Sequence, residues 1–255
     1  MDRSSNEEAG VITSSEQVLD LLREHILSGK VAPGERLHQD KLAEMLDVSR
    51  TPLRTALTTL AQAGLVRYES NRGFRVREFS VTEMMEAFRI RAEMEALACR
   101  LAATQISEDE VERMQSLVLE GDRLIEGGAL KAEALPAYRQ MNVDFHTSIL
   151  IAADNRWIAS FVQQLHSVPL ASDRIIMWDD HTIIERSHDD HHRIVDAFRQ
   201  RDAQRAGGIM FEHISFAANH LLKRLRTHPE DFLRVPVIDD EEARPRKSYR
   251  KRKAT

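Results

Sequence analysis

The amino-acid sequence predicts a mainly α-helical protein, an N-terminal winged helix-turn-helix followed by an all-α antiparallel helical bundle. Three observations lead to this prediction. Apolar residues recur at helical spacing through most of the 255-residue chain. Two short alternating runs joined by turn residues interrupt that spacing near residue 70. Short connections separate the helical segments after residue 81, which is typical of antiparallel neighbours in a bundle.

Three helices are expected within residues 14–78, over about 15–28, 39–46 and 50–63. The breaks that bound them fall at Gly29, Pro33-Gly34, Asp47-Val48 and Gly64. Ser49 is placed to cap the third helix. Pro52 falls in the first turn of that helix, where its missing N–H costs nothing.

A β-hairpin is expected after the third helix. Residues 65–69 and 74–78 alternate apolar and polar side chains, and Ser70-Asn71-Arg72-Gly73 supplies turn chemistry between them. Three helices followed by a hairpin form a winged helix-turn-helix, whose second paired helix enters the major groove of DNA.

Positive charge is concentrated in this segment, although the whole chain carries a formal net charge of −5. Between Val48 and Arg77 there are six arginines and one acidic residue. DNA binding requires positive charge on one face rather than a positive total. The alternative is that this charge is simply a solvated surface.

Residues at the start of the third helix are placed to contact bases: Arg50, Thr51 and Arg54. Arginine suits this position because its planar fork bonds guanine O6 and N7 together. Arg72, beside Gly73 at the hairpin tip, is placed to reach a phosphate or the minor groove. The sequence therefore predicts a DNA-reading face.

Six further helices are expected within residues 81–226, over about 82–104, 107–127, 134–153, 155–168, 182–201 and 203–226. Such a bundle commonly encloses a cavity between its helices.

His146, His191 and His213 lie among apolar residues on three separate helices, and Asn142 precedes His146 by one turn. Three imidazoles and an oxygen suit a divalent metal ion. The alternative is three hydrogen-bonded core histidines, since their spacing forms no recognised motif.

Composition narrows the class of protein. Cys99 is the single cysteine, which fits a reducing cytosol and a cytoplasmic protein. No apolar run suggests a membrane span, and residues 1–13 have no apolar core and are expected to be disordered. The His-Glu-x-x-His pattern of a metalloprotease occurs nowhere. We therefore do not expect an enzyme.

Residues 14–78 resemble the DNA-binding domain of the GntR family of transcriptional regulators. The matching segments, in order, are Ile26-Leu27-Ser28-Gly29, Pro33-Gly34-Glu35-Arg36-Leu37, Leu42-Ala43, Val48-Ser49-Arg50-Thr51-Pro52-Leu53-Arg54, Ala56-Leu57, Gly64-Leu65-Val66 and Arg72-Gly73. The resemblance implies that Arg50, Thr51 and Arg54 read double-stranded operator DNA and that Arg72 and Gly73 assist. Asp40 departs from the pattern, because some members carry a DNA-contacting arginine there.

Residues 81–226 resemble the FCD-type effector domain of the FadR subfamily. The matching residues are Arg91, Glu95, Phe145-His146, Asp154-Asn155, His191, Ile194, Ala197 and His213-Ile214. The resemblance implies a divalent metal ion, Zn²⁺ first with Ni²⁺ or Mn²⁺ as alternatives. Its ligands would be Asn142, His146, His191 and His213, with asparagine in place of the commoner aspartate.

Other residues compete for these ligand positions. His188 and His192 are rivals to His191, which lies closest in register to the apolar stripe of its helix. Asp144 is two residues from Asn142 and is expected to face away from the site.

The resemblance also implies a small carboxylate effector, with Arg91 as its counter-charge, because a guanidinium matches two carboxylate oxygens. The alternative is a surface pair between Arg91 and Glu95. The sequence does not place Arg174, Trp178 or Arg186 relative to the cavity.

A homodimer on palindromic half-sites is expected, since one recognition helix reads only a short half-site. The effector would then shift the population of bundle arrangements and change operator affinity. Two alternatives remain open: a helical domain that only dimerises, and a metal-dependent enzyme fused to a DNA-binding domain.

Residues 229–255 form a separate segment with a basic block from Arg244 to Lys253. Such a block is usually disordered. It would be able to add phosphate contacts that do not depend on DNA sequence.

Overall fold

The computed structural model describes residues 15–27, 30–127, 130–168, 170–172, 181–228 and 237–238. The expectations for residues 1–13, for Arg174 and Trp178, and for most of residues 229–255 lie outside the described residues. The chain divides into two compact units between Glu78 and Phe79.

The first unit contains three helices and a small antiparallel sheet. Its elements are α1 (Ser15–Leu27), β1 (Arg36–Leu37), α2 (Gln39–Met45), α3 (Arg50–Gln62), β2 (Val66–Glu69) and β3 (Gly73–Val76). The predicted hairpin is β2 and β3, with Tyr68 opposite Phe74. Strand β1 pairs with the other edge of β3. We did not predict this strand, because two residues are too few to establish an alternating pattern.

Two features shape the helix-turn-helix. The apolar faces of α1 and α3 form its core, where Leu22, Ile26, Leu53 and Leu57 are fully buried. Gly64 ends α3 at a φ of +79°, a conformation that glycine adopts without strain. Ser49 occupies the N-cap position of α3, but its side chain makes no capping hydrogen bond there.

The second unit is a helical bundle, and its described elements match the predicted pattern of helices. They are β4 (Phe79–Ser80), α4 (Val81–Gln105), α5 (Glu108–Ile125), a 3₁₀ turn (Ala132–Ala134), α6 (Leu135–Ala152), α7 (Arg156–Leu165), α8 (His181–Arg199) and α9 (Ala203–Thr227). The two-residue strand β5 (Val237–Ile238) is the last described element of the chain, and its residue Val237 belongs to the first unit. The predicted fold class, mainly α-helical with a small sheet after the N-terminal helices, is confirmed.

Helix α4 is the central element of the bundle. Ser80 and Glu83 form a capping box at its start, with both hydrogen bonds present. Small side chains, among them Ala96 and Cys99, are buried along the helix and allow α6, α7, α8 and α9 to pack against it.

The contact between α4 and α9 is especially close at Gly207. A Cβ atom at this position would lie 2.9 Å from the carbonyl oxygen of Ala96 and 2.6 Å from Cγ of Arg100. Glycine therefore sets the distance between these two helices.

In the described part of the chain, none of the helices has the length and apolar character needed to cross a bilayer.

Candidate functional site

The predicted DNA-reading residues lie together on an exposed face of the first unit. Arg50, Thr51 and Arg54 are exposed in the first turns of α3, while Leu53 and Leu57 face the core. This is the end of a recognition helix that contacts base edges in helix-turn-helix proteins.

The same face continues along α3 as a groove that the sequence reasoning missed. Further polar residues line it: Gln39, Thr55, Thr58, Thr59 and Gln62. The hydroxyls of Thr55 and Thr58 donate to the carbonyl oxygens one turn earlier, at Thr51 and Arg54. Threonine methyl groups can contact the methyl of thymine. The sequence signal was present, because threonines recur from Thr51 at helical spacing.

Arg50 is engaged in an ion pair on this face. Its Nη2 atom lies 2.9 Å from Oδ1 of Asp40, and both side chains are about three-quarters exposed. The acid that departs from the family pattern therefore sits directly against one of the predicted base-reading residues.

The hairpin lies beside α3 and contributes to the same surface. Arg72 is exposed at its tip, and Gly73 has a φ of +81°. A second groove, between α3 and the hairpin, is lined by Arg54, Thr58, Tyr68 and Gly73 among others. Tyr68 is 65% exposed although its ring packs edge-on against Phe74. An exposed aromatic on a wing was not predicted.

In the second unit, three helices bring His146, His191 and His213 together. They lie on α6, α8 and α9, and each side chain is buried. One ring nitrogen from each lies within 4.8 Å of the others, close enough to hold one metal ion. We refer to these three residues as the buried histidine cluster.

Carboxylates lie near the Nδ1 atoms of two of the three imidazoles, and one of them is within hydrogen-bond distance. The Nδ1 atom of His146 is 2.5 Å from Oε2 of Glu95. The Nδ1 atom of His213 lies 3.4 Å from the hydroxyl of Ser187 and 3.7 Å from Oδ2 of Asp190. A protonated Nδ1 facing a carboxylate leaves Nε2 with its lone pair, which is the state a metal ligand requires.

Two further observations indicate that the buried histidine cluster fits a metal ion. Among the described residues, Nε2 of His146 and both ring nitrogens of His191 are buried without a hydrogen-bond partner. Burial lowers the pKa of His191 well below its ordinary value, and the neighbouring imidazoles lower it further. Burial also lowers the pKa of His213, although Asp190 opposes it. Both histidines are therefore neutral at pH 7, as coordination demands.

A cavity of about 70 Å³ adjoins the cluster. Asn142, His146 and His213 line it together with Arg91. Asn142 is buried one turn before His146 on α6. Its predicted role as a fourth ligand stays a prediction.

Arg91 pairs with Glu95, but in the core rather than on the surface. Its Nε–H donates to Oε1 of Glu95 at 2.5 Å, and Nη1 donates to the carbonyl oxygen of Ala171 at 3.1 Å. Burial alone would raise the pKa of Glu95, yet Arg91 and His146 hold it well below its ordinary value. These bonds use two of the five guanidinium N–H groups, and Arg91 still lines the cavity.

The rival residues lie elsewhere. His188 and His192 both contact Asp122 on α5. Asp144 accepts a hydrogen bond from Gln140 in an exposed position. Arg186 pairs with Asp190 at 2.7 Å and stacks over the ring of Phe216.

A winged helix-turn-helix with exposed arginines on α3 and the hairpin, in a chain that also contains a helical bundle with an internal cavity, is typical of DNA-binding regulators. Residues 14–76 match the model of the bacterial regulatory proteins of the gntR family, and residues 86–216 match that of the FCD domain. The chain therefore belongs to the GntR family and is a transcriptional regulator with an FCD domain.

Curated relatives support this assignment along the chain. An uncharacterized HTH-type transcriptional regulator, YdhC of Bacillus subtilis, is 24% identical over 205 residues, covering 80% of this chain and 89% of YdhC. The Nta operon transcriptional regulator of Aminobacter aminovorans is 28% identical, covering 76% and 88%. The HTH-type transcriptional repressor GlaR of Escherichia coli is also 28% identical, covering 76% and 89%.

Solved structures share the fold. E. coli McbR/YncC has a TM-score of 0.67 at 21% identity, covering 82% of this chain and 97% of that one. A putative GntR regulator from Rhodococcus sp. RHA1 has a TM-score of 0.60 at 23% identity, covering 82% and 97%.

Proposed function

We propose that this protein controls transcription by binding an operator through α3 and the hairpin, and that a small carboxylate held beside a metal ion sets its affinity for DNA. The convergence of His146, His191 and His213 at a cavity that also contains Arg91 is the single observation that supports this most strongly.

On DNA, Arg50 and Arg54 act in the major groove and Arg72 in the wing. An arginine that bonds O6 and N7 of guanine discriminates against other bases by about 1–3 kcal/mol. Thr55 and Thr58 extend the contact along the groove. Asp40 lies against Arg50 and lowers the positive potential there, so Arg54 carries the larger share of base reading.

In the bundle, His146, His191 and His213 would hold the ion, with Asn142 as the fourth ligand. When bound, the ion supplies a Lewis acid that accepts an effector oxygen. Arg91 donates hydrogen bonds to the same carboxylate from α4, while Glu95 neutralises the arginine when no effector is present. Other wall residues, including Phe88 and Ile184, are apolar, and the cavity volume of about 70 Å³ limits the effector to a small molecule.

Dimerisation places two α3 helices on palindromic half-sites, and the effector acts by favouring one arrangement of the bundle. Such a shift changes DNA affinity only to the extent that the effector binds the two arrangements differently.

Elemental analysis and DNA binding together test the proposal. The full-length protein is purified beside a His146→Ala, His213→Ala double variant, and operator fragments are selected from a random-sequence pool. We expect the variant to hold one fewer metal equivalent per chain. We also expect small carboxylates to change DNA affinity only in the metal-loaded wild type.

Equal metal content in the two proteins would overturn the metal centre and leave the DNA-binding assignment intact. In that case the three histidines would be core residues in a bundle that only dimerises. Turnover of a carboxylate or phosphoester by the metal-loaded protein would favour the enzyme alternative instead.

A further inference from the structure

A second group of potential ligands lies outside the cavity, between α5 and α8. It consists of Asp122, His188 and His192, and their donor atoms lie within 4.8 Å of one another. We refer to these three residues as the α5–α8 cluster. None of them belongs to the buried histidine cluster.

We propose that the α5–α8 cluster is a second divalent metal site, which takes Zn²⁺ with two imidazoles, one carboxylate and solvent water. The site is independent of the proposed effector centre, since no ligand is shared.

The donor atoms already converge. Oδ1 of Asp122 is 3.0 Å from Nε2 of His188 and 2.9 Å from Nε2 of His192. Ligands of a tetrahedral Zn²⁺ at 2.0–2.1 Å lie about 3.3 Å apart. Each contact therefore has to lengthen by about 0.3–0.4 Å, which rotamer adjustments can provide.

The helical framework fixes two of the three ligands. His188 and His192 are four residues apart on α8, so both imidazoles project from one face of the helix. Their rings are 5.4 Å apart between centroids and nearly perpendicular, and both Nε2 atoms contact the same oxygen, Oδ1 of Asp122.

Gly121 creates the space for this arrangement. A Cβ atom there would lie 2.2 Å from Cε1 of His188 and 2.9 Å from its Nε2. A glycine inside a helix costs about 1 kcal/mol relative to alanine. At Gly121 it allows the imidazole of His188 to lie directly against α5, beside the adjacent carboxylate of Asp122.

The site is open on one side. Asp122 and His192 are 41% and 35% exposed, whereas His188 is 3% exposed. An ion can therefore enter from solvent and retain a water molecule in its fourth position. In the ion-free protein, Nε2–H of His188 is shared between Asp122 and the carbonyl oxygen of Val118 at 3.1 Å. Coordination through Nε2 transfers that proton to Nδ1, the other tautomer of the neutral ring.

Zn²⁺ equivalents counted by equilibrium dialysis of the full-length, chelator-treated protein test this proposal. We expect His192→Ala and Asp122→Ala each to lose one equivalent relative to the wild type. His181→Ala, which removes a partly exposed imidazole from the same helix, is the matched control and should lose none. The His146→Ala, His213→Ala double variant should retain the equivalent that depends on Asp122.

If His192→Ala and Asp122→Ala bind as much Zn²⁺ as the wild type, the second site does not exist. Failure of the wild type to bind any Zn²⁺ overturns it as well. Circular dichroism checks that each variant is folded, and His192→Gln at the solvent edge repeats the test if Asp122→Ala does not fold. The two sites use different ligands. If only the His146→Ala, His213→Ala double variant binds less Zn²⁺ than the wild type, the lost equivalent belongs to the proposed effector centre and the second site is absent.

Discussion

His146 and Glu95 lie on different helices, α6 and α4, yet Nδ1 of the imidazole is 2.5 Å from a carboxylate oxygen, and both side chains are buried. Glu95 also accepts from Arg91 through its other oxygen. The carboxylate therefore joins a member of the buried histidine cluster to the arginine that lines the cavity.

We expect Glu95→Gln to weaken Zn²⁺ binding at the buried histidine cluster by about 10- to 100-fold, because the carboxylate fixes the tautomer and orientation of His146. Competition with a chromophoric chelator measures this. Glu93→Gln changes an exposed acid two residues away on the same helix and should leave the affinity unchanged. Equal affinities for the Glu95 variant and wild type would show that the pair has no positioning role.

Asp40→Asn should strengthen binding to the selected operator by about 1.4- to fivefold, the range expected for an exposed charge pair. The substitution releases Arg50 and removes a negative charge that would face phosphates. Fluorescence anisotropy at fixed salt measures the change, with Glu16→Gln on α1 as the control. Weaker binding of the Asp40 variant would mean that this acid itself contacts a base.

Arg54→Ala should reduce affinity for the selected operator by about 5- to 150-fold, corresponding to the 1–3 kcal/mol of a base-specific arginine. Affinity for unrelated DNA should fall much less. The decisive measurement is therefore the ratio of the affinity for the operator to the affinity for unrelated DNA. Arg23→Ala removes a positive charge from α1 as the control. An equal loss on both DNAs would make Arg54 a phosphate contact.

Metal-free protein should lose stability as the pH falls below about 6.5. Burial lowers the pKa of His191 and of His213 from an ordinary value of 6.5. Below about pH 6.5 these histidines take up protons in the unfolded chain but not in the folded protein. Their full contribution to the free energy of unfolding is therefore present above pH 6.5, and it declines as the pH falls toward the lowered pKa of the folded state. The slope is roughly 1 kcal/mol per pH unit for each such histidine.

Urea unfolding at about pH 7.5, 6.5 and 5.5 tests this linkage. His191→Phe should reduce the slope, since it removes one of the groups that protonate only on unfolding. His181→Gln changes a partly exposed histidine on the same helix and should not alter the slope. If the slope fell in the His181 variant and not in the His191 variant, the pH dependence of stability would come from exposed histidines, and the prediction for His191 would be wrong.

The sequence was sufficient to predict the order of the helices and of the hairpin, but not the two-residue strands β1, β4 and β5. Apolar residues at helical spacing predict the helices of the helix-turn-helix. Gly64 marks the end of the third helix, and Ser70-Asn71-Arg72-Gly73 marks the turn of the hairpin. The predictions for His146, His191 and His213 drew on their apolar neighbours and on family resemblance. Their convergence depends on how three helices pack, which local periodicity does not encode.

The environment of Glu95 and the α5–α8 cluster could not be predicted for the same reason. Glu95 was considered as a surface partner of Arg91, but α4 is surrounded by other helices, so the pair is buried. The spacing of His188 and His192 was visible as an i, i+4 pair. Asp122 is 66 residues before His188 in the sequence, and only the packing of α5 against α8 brings it to them.

Gly207 brings the two helices that carry the proposed effector centre into close contact. Because α9 has no side chain where it meets Ala96, the two helix backbones approach each other directly at this point. His213 is carried by α9, whereas Arg91 and Glu95 are carried by α4. The proposed metal ligand His213 and the proposed effector contact Arg91 therefore lie on two helices whose backbones meet directly. Helix α4 begins three residues after Glu78, where the first unit ends.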